Sequence, residues 1–347
     1  MIFLLVFVTG FLTAFILTPL AARLASRTGA VDAPRNRHAH AQPTPKLGGL
    51  ALFIAFVIAV GMSLVYPRSD PNELTRLAGL FLGGLVLFIV CAYDDHRELK
   101  ATPQLFAQVL TASIAVGAGV MIREIPNPFG GSPFVFEPWF AVLFTLFWLV
   151  GMMNTVNWLD GVDGLAAGVV AIACGVMFIH TFRLEQSSIA LLALALVGAT
   201  LGFLPFNFFP AKIFMGAGAL VLGYALGALS IVGGAKVATA LLVLFIPILD
   251  VAWQIVSRLR IGKSPFAADR GHLHHRLLDL GLPQRAIVLL YYFCTAIFGA
   301  LALTLPPGVS KLIALVVLGV GAAMVLVRIA RRQVLLVRQR QKQKPRE

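Results

Sequence analysis

The segment Asn154-Thr-Val-Asn157-Trp-Leu-Asp160-Gly-Val-Asp163-Gly-Leu-Ala-Ala-Gly168 separates two apolar runs, residues 139–153 and 165–181. Each run approaches the length that crosses a bilayer. Two asparagines and two aspartates at the edge of hydrocarbon are costly to keep, and ionisable groups there usually face a wet cavity and mark a functional site. Asp160 and Asp163 share a face if the segment is helical. Gly161 and Gly164 argue instead for a turn that lets backbone amides approach a ligand. A plainer reading has Asp163 cap a helix that begins at Leu165. Capping accounts for one acid and leaves Asn154, Asn157 and Asp160 unexplained, which favours a site.

Working outward, the remaining 347-residue chain repeats the apolar theme: 59% of residues are hydrophobic and 12% charged, far from the balance of a soluble domain. Eleven apolar runs approach the ~20 residues a helix needs to span ~30 Å of hydrocarbon: 2–20, 48–66, 77–93, 105–121, 139–153, 165–181, 188–206, 213–232, 237–255, 286–305 and 309–329. The expected fold is therefore an all-α polytopic membrane protein of about eleven transmembrane helices. It consists of one membrane domain over 1–330 and a basic tail over 331–347. Of the 28 Lys and Arg residues, 22 fall in the odd-numbered connections and the tail. Positive charge stays on the cytoplasmic side, so the N-terminus is expected outside and the C-terminus in the cytoplasm. The first span has no positive residue ahead of it and reads as a retained anchor. The net charge of +13 does not point to nucleic acid, because eight basic residues lie between 328 and 346, where a basic run touches anionic lipid heads. Cys91, Cys174 and Cys294 lie in or at the ends of spans without metal-ligand spacing and read as packing residues.

The even connections look bland. The longest, 122–138, holds Pro-Phe-Gly-Gly-Ser-Pro-Phe-Val-Phe, the pattern of a hairpin turning at Gly-Gly. Six of the seven histidines and most carboxylates are in the odd connections, so function is expected on that face. The first of these carries Arg37, His38, His40 and Lys46 among three prolines, donors for an anion or ordinary positive-inside bias. Asp94-Asp95 ends an apolar helix, where acids oppose the macrodipole. Each acid raises the other's pKa unless a cation neutralises them. Mg²⁺ suits such a pair, since it takes carboxylate and phosphate oxygens; a solvated helix end is the alternative. Asn207-Phe-Phe-Pro-Ala-Lys212-Ile-Phe214 could stack and pair a nucleobase, or simply supply interfacial aromatics. In the last loop, His272, His275 and Arg276 share a face if Gly271 onward is helical, offering donors to a diphosphate. Zinc is less suited, because no carboxylate or cysteine ligand has the spacing. Asp250, inside the ninth run, is expected to partner Arg258 or a histidine.

Together these motifs resemble the polyprenyl-phosphate N-acetylhexosamine-1-phosphate transferase family, which includes the WecA-like transferases and the muramoyl-pentapeptide translocase. The resemblance rests on Asp32, Pro34, Arg37, His40, Pro43, Pro45, Gly48 and Gly49; on Asp94, Asp95, Leu99 and Gln108; on the complete Asn154–Gly164 motif; on the block beginning at Asn207; and on His272, His274 and His275. The His-x-His-His spacing resembles the N-acetylglucosamine-type members more than the translocase. The resemblance implies that a UDP-N-acetylhexosamine, the GlcNAc sugar first, and a polyprenyl phosphate such as undecaprenyl phosphate give a polyprenyl-diphosphate sugar and UMP. This would start a lipid-linked envelope glycan at the cytoplasmic face of a bacterial plasma membrane. It implies Mg²⁺, with Mn²⁺ as a substitute, held near Asp94 and Asp95. Asp160, His272, His274 and His275 join that pair as catalytic groups. Substrate-binding positions are Arg37, His40, Lys46, Asn154, Asn157, Asp163, Asn207, Lys212, Phe214, Arg270 and Arg276. No nucleic-acid partner is implied, and a homodimer is compatible with it. The chain departs from the pattern twice. Gln104 stands where many relatives carry a basic residue, and Ala217-Gly218 follows Gly216 where the family has an aspartate and one more residue. A translocase-type transferase, another UDP-amino-sugar transferase and a catalytically impaired relative are the alternatives. A secondary transporter is the remote rival, although transporter sites lie near the midplane and here the charges collect at one end.

Overall fold

The computed structural model describes residues 1–32, 43–68, 70–232, 237–264, 271–306 and 308–343, with side chains described through Arg328. Arg37, His40 and Arg270, three of the expected substrate-binding positions, lie outside the described residues.

Among the described residues the protein is all-α apart from two antiparallel pairs of two-residue strands. Its elements are α1 (Ile2–Thr28), β1 (Val31–Asp32), β2 (Thr44–Pro45), α2 (Gly48–Ser63), α3 (Glu73–Arg97), α4 (Ala101–Gly117), β3 (Glu124–Ile125), β4 (Phe134–Val135), α5 (Pro138–Leu159), α6 (Leu165–Arg183), α7 (Ser187–Asn207), α8 (Gly218–Leu229), α9 (Val237–Val243), α10 (Phe245–Arg260), α11 (Leu273–Asp279), α12 (Gln284–Thr304) and α13 (Val309–Gln343). Every apolar run of the sequence coincides with a helix or a helix pair. Among the described residues, seven helices are long and apolar enough to cross a membrane, and eight if the bent pair α9–α10 is one span. α2, α4 and α8 are shorter, at 16, 17 and 12 residues. The Gly-Gly hairpin forms as expected: β3 pairs antiparallel with β4, and Gly130 and Gly131 turn the chain with φ of 88° and 85°.

Helix α7 lies at the centre, packed on α1, α6 and α2, while α5 packs on α8 and α3 on α4. Between helices in lipid, close van der Waals approach replaces the hydrophobic effect as the attraction, and small residues permit it. A side chain at Gly198 of α7 would come within 2.5 Å of the Phe7 carbonyl on α1, and one at Gly202 would collide with the Phe11 carbonyl. The break between α9 and α10 has a definite cause. Pro247 has no N–H to offer the carbonyl of Val243, four residues back and the last residue of α9. A proline in the first turn of a new helix is accommodated, whereas inside a continuous one it is not. The axis turns by 82° there, and α10 leaves at a new angle with Asp250 on its buried face.

The even connections, which looked bland in sequence, hold a buried ion pair. Arg68 donates to Glu73 at 2.5 Å and to the carbonyl and hydroxyl of Ser63, both at 2.8 Å. Ser188 Oγ donates to the other Glu73 oxygen at 2.8 Å. The cluster ties the ends of α2, α3 and α7 together, and Glu73 is only 1% exposed. Removing one member of a buried pair leaves the other charge uncompensated and costs about 3–5 kcal/mol. Glu73→Gln should therefore lower the thermal midpoint of the detergent-solubilised protein markedly. Asp70→Asn, which loosens the half-exposed Arg76–Asp70 pair, should change stability by no more than about 1 kcal/mol.

Candidate active site

Helix α5 ends at Leu159, and the chain then turns through Asp160, Gly161, Val162 and Asp163 before α6 begins. The turn reading of the two glycines holds: Gly164 is the residue before α6, with φ of 77°, a left-handed conformation that glycine adopts without strain. No side chain caps α6. Asp163 reaches across instead, accepting the Ala211 N–H at 2.9 Å. Asn207 completes the seam: its Oδ1 accepts from Gly164 N at 3.2 Å, and its Nδ2 donates to Ile213 O at 3.0 Å. With 1% of its surface exposed, Asn207 joins the two loops rather than standing open. Tyr292 of α12 donates to Gly164 O at 2.5 Å. Nothing in sequence singled it out, since a tyrosine inside an apolar span looks like packing.

The paired acids point different ways, because neighbours on a helix are about 100° apart. Asp94 turns back on its own chain, accepting from Leu99 N at 2.5 Å and Gln104 Nε2 at 2.9 Å. Asp95 is buried and accepts the Ala217 N–H at 2.8 Å. Both departures from the family pattern thus fall on partners of this pair: Gln104 on Asp94, Ala217 on Asp95. Lys46 acts electrostatically on Asp95. Its segment is pinned to the same loop, Phe214 N donating to Pro45 O at 2.8 Å and Gly48 N to Phe214 O at 2.9 Å. Asn154 donates to Gln108 Oε1 at 2.6 Å and to Val150 O at 2.8 Å, knitting α5 to α4. Asn157 is half-buried and Lys212 exposed.

The histidine segment meets the acidic turn directly. A side chain at Gly161 would collide with His274 Nε2, so that end of the ring abuts the Asp160–Asp163 turn. Trp158 stands between Arg258, whose guanidinium lies 5.3 Å from its ring, and His272 at 5.5 Å. The helical face expected to group His272, His275 and Arg276 is not the one observed. His272 precedes α11 with extended backbone, so burial selects His272, His274 and Arg276 and leaves His275 half-buried. Asp250 finds a histidine, as expected, with Oδ2 3.0 Å from His272 Nδ1.

The electrostatics of the site are set by burial and by like charges. Burial, then Asp163, then Asp95, push the Asp160 carboxyl well above the usual range. Burial, then His275 and His272, hold His274 well below its ordinary 6.5, and no hydrogen bond from the described residues reaches either of its ring nitrogens. Among the described residues no three His, Cys, Asp or Glu side chains converge as a finished metal centre. By donor chemistry, the carboxylates of Asp95 and Asp160, with mutual repulsion to relieve, fit a hard divalent cation completed by phosphate oxygens and water.

A polytopic helical bundle that gathers acids, amides and histidines from five connections at one end is an integral-membrane enzyme of the membrane interface. Residues 77–234 match the model of glycosyl transferase family 4. The chain is 37% identical to the "Probable undecaprenyl-phosphate N-acetylglucosaminyl 1-phosphate transferase" of Bacillus subtilis (strain 168), over 86% of this chain and 84% of that protein. It is 37% identical to the "Decaprenyl-phosphate N-acetylglucosaminephosphotransferase" of Mycobacterium tuberculosis (strain ATCC 25618 / H37Rv), over 83% and 80%. A "Phospho-N-acetylmuramoyl-pentapeptide-transferase" of Oceanobacillus iheyensis is 30% identical over 88% and 98%. The chain belongs to glycosyl transferase family 4, among its polyprenyl-phosphate sugar-1-phosphate transferases.

The displaced His274 titration has a consequence for stability. Its pKa is lowered on folding, so below the unfolded value near 6.5 the unfolded chain binds a proton that the folded chain excludes. This contribution is complete above that pH and declines as pH falls, by about 1.4 kcal/mol per unit. Asp160, whose pKa is raised, acts in the opposite sense. Thermal midpoints at pH 7.5 and 5.5, compared between the wild type and His274→Gln, isolate the histidine: the variant should lose less stability on acidification.

Proposed function

We propose that the protein transfers N-acetylglucosamine-1-phosphate from UDP-N-acetylglucosamine to a polyprenyl phosphate and releases UMP. The observation that carries this reading is the apposition of an acidic group (Asp95, Asp160, Asp163) and a donor group (the guanidinium groups of Arg258 and Arg276, the imidazoles of His272 and His274), joined where His274 meets the Gly161 turn and Trp158 meets Arg258 and His272. Such a cleft suits a reaction in which two anionic phosphates must approach. The names of the bacillary and mycobacterial relatives agree with it, as does the His-x-His-His spacing. The fall of 22 of 28 basic residues in the odd-numbered connections and the tail of the sequence supports a cytoplasmic site in a bacterial plasma membrane.

In this reading an oxygen of the lipid phosphate attacks the sugar-bearing phosphorus of the donor. A new P–O bond forms, the bond to the bridging oxygen breaks, and UMP carries that oxygen away. Mg²⁺, or Mn²⁺ in its place, would be held by Asp95 and Asp160 and would screen the diphosphate charge. Asp94, engaged with Leu99 and Gln104, secures the end of α3 beside them. Asp163 and Asn207 keep the acidic turn against the Asn207–Phe214 loop, where the half-buried ring of Phe214 lies beside the nucleotide. His272, His274 and Arg276 face the diphosphate, where the N–H of the neutral His274 ring gains an anionic acceptor. Lys46 offsets charge near Asp95 and the lipid phosphate. Stabilisation of spreading phosphoryl charge by pre-placed groups is the main catalytic resource in such transfers.

Membranes containing the protein, supplied with undecaprenyl phosphate, Mg²⁺ and UDP-N-acetylglucosamine, should yield lipid-linked sugar and UMP. A panel of other UDP-amino sugars should give less product. Asp95→Asn and Asp160→Asn should each reduce turnover by about 10² or more without loss of folded protein. Product formation with UDP-N-acetylmuramoyl-pentapeptide alone would transfer the assignment to the translocase type, and no product with any donor would refute the reading.

A further inference from the structure

We infer that Asp250 is a positioning residue that fixes the ring orientation and tautomer of His272; the inference rests on the transferase reading for its functional meaning. Asp250 lies on α10, one turn past the Pro247 break, and is 5% exposed. Both of its oxygens are committed to the same two residues. Oδ1 accepts the Leu273 N–H at 2.9 Å, and Oδ2 lies 3.0 Å from His272 Nδ1. An ionised carboxylate only accepts hydrogen bonds. Nδ1 is therefore a donor, and in the neutral ring Nε2 is the acceptor. A two-point grip, backbone and ring together, also removes the freedom of the residue to rotate. Carboxylates that orient a histidine in this way set which nitrogen meets the reacting partner.

Asp250 does not act alone on this segment. Gln254 and Arg258 follow it at successive turns of α10, and these two are 1% and 3% exposed. Gln254 donates to Gly271 O, and Arg258 lies over Trp158, the ring that also contacts His272. The buried face of α10 is thus polar, while Val256 and Leu259 are exposed. In a membrane helix, polar groups turned inward have a specific task. Here the stripe is a template against which residues 271–273 are laid, and the 82° bend aims it at the acidic turn. Helix capping of α11 would require Oδ1 alone. The His272 contact is the surplus that indicates tautomer control.

The test is a two-residue cycle on the full chain in membranes. Asp250→Asn preserves volume but replaces the acceptor-only carboxylate with an amide. It should lower kcat by roughly 10- to 100-fold, the scale for loss of a carboxylate that orients a functional histidine, with KM for UDP-N-acetylglucosamine little changed. His272→Gln should lower kcat as well, and adding Asp250→Asn to it should cost nothing more, since coupled groups are not additive. Equal losses from Asp250→Asn in both backgrounds, or near-normal kcat in either single variant, would overturn the inference. In ¹⁵N-histidine-labelled protein, the His272 resonances, assigned by their loss in His272→Gln, should show the Nδ1-protonated tautomer and shift in Asp250→Asn. A His272 spectrum with the proton on Nε2 would overturn the inference even if the wild type had no transferase activity, a result that would refute only the proposed function.

Discussion

Negative charge next to hydrocarbon is the constraint that the site end of this protein is arranged to meet. Asp163 and, from the end of another helix, Asp95 act on the carboxyl of Asp160. Each has a different remedy. Asp163 receives a backbone amide from the Asn207–Phe214 loop. Asp95 receives another from Ala217 and the nearby charge of Lys46. Asp160 receives none from the described residues, and its proton affinity rises accordingly. In the proposed chemistry, that carboxylate is one of the two that would hold the divalent cation.

The two departures from the family pattern become intelligible in the same terms. A glutamine at 104 still donates to Asp94, so the end of α3 is held without a formal positive charge. The shortened turn at Gly216 and Ala217 brings an amide to Asp95. A side chain at Gly216 would meet both Asp95 oxygens and the Lys46 carbonyl, so the turn can lie this close only as glycine. The loop therefore satisfies Asp95 with main chain where an added acid would have increased the repulsion.

The histidine half is built by a different device. Its residues come from a short helix that is not stable by itself, seven residues being too few to sustain helix without tertiary support. The support is α10, whose inward stripe of Asp250, Gln254 and Arg258 grips residues 271–273, and Trp158, which joins that stripe to the acidic turn. At the far end of the bundle the Arg68–Glu73–Ser188 cluster performs a comparable mechanical role for α2, α3 and α7.

Periodicity and length were enough to read the all-α membrane fold, because spanning hydrocarbon demands long apolar helices whatever the neighbours. The Gly-Gly hairpin and the acidic turn were legible for a similar reason, since glycine specifies its backbone locally. The residues of the Asn154–Gly164 motif, the paired acids and the histidine segment could be named from sequence, as could a histidine partner for Asp250. Their individual relations could not. Side-chain direction settled that Asp94 and Asp95 diverge, that Asn207 is enclosed in a seam, and that His274 rather than His275 faces the turn. Contacts across long sequence separations brought in Tyr292 and the polar face of α10, residues whose local surroundings look like ordinary spans. The run 237–255 read as one span in sequence, and the 82° bend before Pro247 divides it into α9 and α10. Local backbone chemistry and the demand for apolar length are written residue by residue, whereas the partner of a buried polar group is decided only when distant helices pack and exclude water from between them.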